Sequence, residues 1–411
     1  MDEARSEAKW SADVRRLWRA RGLRGLIDGV VSVMLPGYLL ARGLSPVQVG
    51  AVVTATLLGS AALTLALGLR GGHLPRRLLL QLSSVAMIVT GLLFGVVSGF
   101  GALLVVAAIG TLNPSAGDVS PFLPLEQAVL PDTVPAARRT AAFARYSLVA
   151  ALAGAIGSLL AGVPERVADE TSLSGLDAQR LVFVLYALVG VVLLMQYRHL
   201  QAGRVVDDDG NRGRLGPSRS LVYRLAAVFA IDAGGGGFAV TSILVLWLSL
   251  RFDLSTSTAG AVFFWAGLLA ASSQLLAPLL AERIGLIRTM VFTHLPANVL
   301  LMLAALMPSA GLAIACLLAR SLLSQMDVPA RTSYVMAVVT PGERAAAASV
   351  TNVPRSLASA LPPLAAGWML EHSTFGWPLL LAGALKASYD LLLLAMFRDV
   401  HPDEEQVVPV A

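Results

Sequence analysis

Apolar stretches of about 20 residues, divided by short charged or Gly- and Pro-containing breaks, recur along almost the whole of this 411-residue chain. A stretch of that length crosses the hydrocarbon layer of a bilayer as one helix. Only helices and closed barrels satisfy their own backbone groups in lipid, so repeated long apolar stretches imply a bundle of membrane helices. Composition agrees: 56% of residues are hydrophobic and 14% are charged, against roughly 25% charged in soluble domains. A water-soluble globule is excluded. The net charge of +5 sits between apolar segments, not on a solvated basic face, so no nucleic-acid partner is expected. Cys316 is the single cysteine, which removes internal disulfides and Cys-based metal sites.

The segment MDEARSEAKWSADVRRLWRARG lacks a short apolar core followed by a small-residue cleavage site, so the first apolar run is expected to stay as a membrane helix. Bounding the runs by charge, Pro and Gly predicts helices at 22–42, 47–69, 78–97, 101–130, 140–163 and 181–197. A second set falls at 221–250, 257–280, 289–307, 311–339, 345–369 and 377–397. The expected organisation is an N-terminal cytoplasmic segment 1–21, a six-helix bundle 22–197, a linker 198–220, a second bundle 221–397 and a tail 398–411. With the N-terminus inside, loops on that side carry 20 Lys and Arg and the opposite loops carry 4. That bias puts both termini in the cytoplasm.

The two halves also repeat. LSPVQVGA at 44–51 returns as LSTSTAGA at 254–261, and Asp118/Asp327 and Arg145/Arg355 keep offsets of 209 and 210. Parallel repeats of this kind place a transporter's substrate site near the membrane midplane.

Three local features resemble the major facilitator superfamily. GLRGGHLPRRLLL and LAERIGLIRTMV, after the second and eighth helices, are similar to that family's short loop motif, although the first lacks the acidic residue. LARSLLSQMDVPARTSYVMAVVTPGERAAAASV resembles its Arg-bearing tenth helix and Pro, Glu, Arg turn, placing Arg320, Pro341, Glu343 and Arg344 on those positions. AGAIGSLLAG at 153–162 is similar to the antiporter motif of the fifth helix, keeping Gly157 and Gly162 but with Ser158 where Pro would stand. The resemblance, over residues 22–397, implies an all-α polytopic protein of two pseudo-symmetric six-helix bundles. It also implies a transporter that works by alternating access, commonly coupled to a proton or ion gradient.

Ionisable groups at membrane depth are the sharpest chemical signal, since a central Asp or Arg costs about 2.5 to 3.5 kcal/mol on insertion scales. Asp28, Asp118, Glu126, Asp232 and Asp327 are candidates for proton coupling or substrate binding. Arg145, Arg320, Arg331 and Arg355 are candidates for charge pairs or anion binding. Rise arithmetic lets Asp118 meet Arg145, and Asp327 meet Arg355; such a pair is either a structural clamp or one that opens for substrate or proton. Asp28 and Asp232 show no cation on their own helix at cavity depth, although Arg24 one turn away is a possible partner of Asp28 and otherwise a snorkelling side chain. A buried carboxylate without a cation bears the whole desolvation cost of its charge, which a bound proton removes. Arg320, Asp327 and Arg331 share a face of the tenth helix, and Lys386 and Asp390 are spaced as a local pair.

Gly234, Gly235, Gly236 and Gly237 lower the helix preference of the seventh span; they predict a gate, or close packing through small residues. Pro36, Pro114, Pro121, Pro329, Pro354, Pro362 and Pro363 predict kinks in the first, fourth, tenth and eleventh spans. No metal-ligand spacing, phosphate-cradling G-x-x-x-x-G-K loop or catalytic triad is present. No cofactor, metal or catalytic residue is therefore expected. The leading expectation is a proton-coupled exporter of a small organic compound in a bacterial inner membrane, working as a monomer. Alternatives are an organic-anion transporter using buried arginines, a divalent metal exporter, and, outside transport, a membrane enzyme or lipid scramblase.

Overall fold

A computed structural model describes residues 10–70, 74–115, 120–135, 138–201 and 215–397. Among them no strand occurs. In the first half, α1 is Ala12–Ala41, α2 Pro46–Arg70, α3 Arg76–Val96, α4 Phe100–Ile109 and α5 Phe122–Val129. They are followed by α6 Arg139–Leu160, α7 Val163–Glu170 and α8 Gly175–Arg198. In the second half, α9 is Arg219–Gly237, α10 Thr241–Phe252, α11 Thr256–Ile284, α12 Leu286–Leu306 and α13 Ala310–Ser321. The chain continues through α14 Asp327–Ala337, α15 Arg344–Ala360, α16 Pro362–His372 and α17 Trp377–Phe397.

Nine of the described helical segments are long and apolar enough to cross a membrane unaided. The remaining three of the twelve spans are the fourth, tenth and eleventh, each built from two shorter helices: α4 with α5, α13 with α14, and α15 with α16. The seventh span is also divided, into α9 and α10. Chemistry at each interruption explains it. Gly110, Pro114 and Pro121 fall between α4 and α5, and Pro362 and Pro363 open α16 at the first positions of a helix, where a missing N–H costs nothing. In the tenth span the turn at 322–326 precedes Pro329, whose ring excludes the carbonyl of residue 325 from a helical bond. Pro36 and Pro354, by contrast, lie inside continuous helices. The first helix begins at Ala12, ten residues before the expected start, with the Ser11 hydroxyl accepting from the Val14 N–H at 3.3 Å.

The chain divides into two compact units: Met1–Leu44 with Ala55–Asp207 and Ser255–Phe264, and Ser45–Thr54 with Asp208–Leu254 and Trp265–Ala411. The boundaries thus differ from those of the two sequence halves by residues 45–54 and 255–264, the two copies of the LS-initiated repeat. Within the first unit α1 packs on α6 and α8, and α3 on α8; within the second α9 packs on α15 and α17, and α12 on α17. The same pairing of spans in both units is the structural form of the sequence repeat.

The α1/α6 contact shows why small residues matter where lipid supplies no hydrophobic drive between helices. A Cβ placed on Gly157 would lie 1.9 Å from the Leu26 carbonyl oxygen and 3.1 Å from the Gly29 Cα. Gly157, one of the retained antiporter-motif glycines, is therefore a contact surface for α1. Gly157→Ala is expected to destabilise the protein by about 1–3 kcal/mol through forced separation of the two helices, measurable by unfolding in detergent.

Outside the spans, the Glu343 carboxylate gathers the start of α9. It accepts from the backbone N–H of Gly216, from that of Ser218 at 3.3 Å, and from the hydroxyls of Ser218 at 2.6 Å and Thr340 at 2.7 Å. These donors, the two hydroxyls foremost, hold its carboxyl down at about 2. The tie is thus present above the usual glutamate range and is lost only as the pH falls towards that value.

Candidate functional site

Each unit holds one buried polar cluster. In the first, Arg21, Arg24 and Asp28 recur at spacings of three and four on α1 and so share a face. Arg24 is 2% exposed and its guanidinium bonds Glu126 of α5 and, at 3.0 Å, the Ser120 hydroxyl. Arg24 is thus neither a snorkelling residue nor the partner of Asp28. Glu126 is fully buried and also accepts from the hydroxyls of Tyr146 on α6 and, at 2.5 Å, Tyr197 on α8. Three helices besides its own therefore converge on one carboxylate, and the Phe122 ring lies 4.5 Å beneath the Arg24 guanidinium. Charge-assisted bonds of this density are what a buried ion pair needs to offset desolvation.

Asp28 stands apart from that pair. It is 7% exposed and accepts a long bond of 3.5 Å from the Asn113 amide. Among the described residues it has no cation within 4.0 Å, whereas Glu126, Asp232, Asp327 and Asp390 each have a basic side chain in that range.

In the second unit, Asp232 of α9 is the hub. Its Oδ1 accepts from Lys386 Nζ of α17 at 2.6 Å, and its Oδ2 from Arg331 of α14 at 3.1 Å. His294 Nε2 of α12 lies 3.7 Å from Oδ1. Arg331 also reaches Asp327, one turn earlier on its own helix, at 3.2 Å. His294 Nδ1 lies 2.9 Å from Asp390 Oδ1, and the Asn298 amide donates to the other oxygen of Asp390 at 2.9 Å. Asp232, Lys386 and Asp390 are all less than a tenth exposed.

This geometry corrects several expectations. Asp232 does have cations, but they come from other helices. Lys386 and Asp390 part company, Lys386 to Asp232 and Asp390 to His294 and Asn298. Asp327 pairs with Arg331 and not with Arg355, whose guanidinium, among the described residues, bonds Asn352 at 3.3 Å. Arg145 is exposed at the helix mouth and lies over the rings of Trp10 and Trp18 at 5.0 and 5.7 Å. Its expected partner, Asp118, lies outside the described residues, as do the side chains of Pro341 and Arg344.

The helix runs unbroken through Gly234–Gly237 and turns just after them, at 238–240. Cβ atoms on Gly235 and Gly237 would approach the carbonyl oxygens of Ala382 and Ser359 at 2.9 and 2.4 Å. Close packing on α17 and α15 accounts for both. Sequence reasoning left out Asn113, Ser120, Tyr146, Tyr197, His294 and Asn298, and it named Arg24 without giving it Glu126 as a partner. Among the described residues no group of three His, Cys, Asp or Glu side chains is placed to hold a metal ion. The oxygens of Asp232 are taken by Lys386 and Arg331.

Comparison with known proteins identifies the fold. The Major Facilitator Superfamily family model matches residues 17–361 and 225–411. The chain belongs to the major facilitator superfamily. It is 24% identical to the uncharacterized membrane protein YJR124C of Saccharomyces cerevisiae over 428 aligned positions, covering 95% of each chain. A similarity of 27% over 215 residues, 52% of each chain, links it to the multidrug efflux protein YfmO of Bacillus subtilis. The xylose transporter XylE from E. coli superposes with a TM-score of 0.73 at 12% identity, covering 95% of this chain and 97% of that one. As a member of this superfamily the chain is a multi-pass membrane transporter of the secondary type and not an enzyme, with a small-molecule substrate.

Proposed function

We propose that this transporter couples movement of a small organic compound to the proton gradient, with Asp28 as the proton-carrying group. One observation supports this above the others: Asp28 alone among the buried carboxylates of the described spans has no cation within 4.0 Å. A carboxylate so placed is stable neutral when its surroundings are dry and charged when water reaches it. Its occupancy by a proton thus follows whichever side of the membrane it meets, which is what coupling requires.

Export rests on the likeness to the multidrug efflux protein over half of the chain and on the retained Gly157 and Gly162. The loop-charge bias of 20 to 4 supports both termini in the cytoplasm, in a bacterial inner membrane, with the 198–220 linker joining two bundles of one monomer.

Asp28→Asn protein in proteoliposomes is expected to lose solute movement driven by a pH gradient while keeping counterflow exchange of the same solute. Gradient-driven rates equal to wild type would remove Asp28 from the coupling step.

A further inference from the structure

Two guanidinium groups beside the Asp232 cluster, among the described residues, are left over once its ion pairs are assigned. Arg320, at the end of α13 just before the turn at 322–326, makes no ion pair or hydrogen bond among the described residues. Arg355, on α15, makes among the described residues only the bond to Asn352 three residues earlier. The Nε of each is sealed from solvent and has no hydrogen-bond partner, while each residue as a whole is half-buried. Both lie within electrostatic range of Asp232 and Asp327. They do not find a partner there, because Arg331 and Lys386 already occupy those carboxylates.

The charges in this region therefore do not balance. Arg320, Arg331, Arg355 and Lys386 are four cations facing three carboxylates, Asp232, Asp327 and Asp390, and Asp390 is already engaged by His294 and Asn298. At membrane depth an unmatched guanidinium is expensive and is retained where water or a ligand meets it. The fork of a guanidinium matches the paired oxygens of a carboxylate, phosphate or sulfonate. Resting on the transporter reading above, we propose that Arg320 and Arg355 are the recognition element for the transported compound and that this compound is an organic anion.

The test uses the full chain purified in dodecyl maltoside, with benzoate, phenyl phosphate and benzenesulfonate as probes and benzamide and benzylamine as their neutral and cationic counterparts. Unfolding temperature, followed by tryptophan fluorescence, is expected to rise saturably with at least one anion and with neither counterpart. Arg320→Gln and Arg355→Gln should each weaken that anion about tenfold or more, the loss of one charge-assisted bond.

Anions that protect no better than benzamide would overturn the proposal, as would wild-type anion affinity in both Gln proteins. Should the Gln proteins fail to fold, Arg320→Lys and Arg355→Lys keep the charge and lose the fork: weaker binding supports the assignment and unchanged binding overturns it. Protection by phosphatidylglycerol in mixed micelles, with none by the soluble anions, would assign the arginines to lipid and also overturn it. Anion binding is read in detergent with no pH gradient, whereas coupling is read in proteoliposomes with one. Loss of binding selectivity and loss of gradient coupling are thereby separate failures.

Discussion

Asp232→Asn is expected to cost about 3–5 kcal/mol of stability, the range for removing one partner from a buried ion pair. The substitution leaves the Lys386 ammonium, 2.6 Å away, and one side of the Arg331 guanidinium, 3.1 Å away, without their carboxylate. Arg331 retains Asp327 at 3.2 Å, so Lys386 is the more exposed to the loss. Lys386→Met in the Asp232→Asn background should therefore recover part of the stability, giving a clearly non-additive double-mutant cycle. Unfolding in detergent reads both. A single variant within about 1 kcal/mol of wild type, the range of an exposed pair, would show that Asp232 is not the hub described here. Because the charge network fails first, loss of transport by this variant alone says little about coupling.

Glu126→Ala is expected to have an effect of the same order in the first unit. Arg24, 2% exposed, would be left as an uncompensated charge, and the hydroxyls of Tyr146 and Tyr197 would lose their acceptor. The donors predict a graded series. Tyr197→Phe should cost about 1.5–3 kcal/mol, the worth of one hydrogen bond to a charged group, and Arg24→Met more than that. The double change Arg24→Met with Glu126→Met, which removes both charges and fills the space, should be milder than either charge deletion alone. Equal losses for Tyr197→Phe and Glu126→Ala would contradict the convergence of three side chains on one carboxylate.

The spans were legible in the sequence because hydropathy, loop charge and the internal repeat are each local or periodic. Even where a span is divided, as between α13 and α14, its bounds of 310 and 337 fall close to the 311–339 predicted for it. Partner choice was not legible, and the reason is geometric. Spacing along a helix paired Lys386 with Asp390, yet Lys386 reaches across to α9 and Asp390 across to α12. Arg24 looked like a mouth residue because α1 was expected to begin at residue 22; with ten further residues of helix before it, it lies well inside. His294 and Asn298 gave a faint signal, an i, i+4 polar pair within an apolar run, which periodicity alone does not distinguish from packing. Glycine positions were read correctly as special, although for Gly235 and Gly237 the reason is the approach of a neighbouring carbonyl.

The divided fourth and tenth spans carry one more implication. Where α4 gives way to α5, and α13 to α14, the amide ladder changes register: the Thr111 N–H turns to the Thr90 hydroxyl at 3.3 Å, and those of Leu323 and Met326 bond carbonyls three residues back at 3.0 and 3.4 Å, an interruption that in the hydrocarbon layer is tolerated only beside protein or water. Deuterium from the solvent should therefore enter the backbone around residues 110–113 and 322–326 far sooner than it enters α3 or α12, marking two damp notches at corresponding places in otherwise sealed walls.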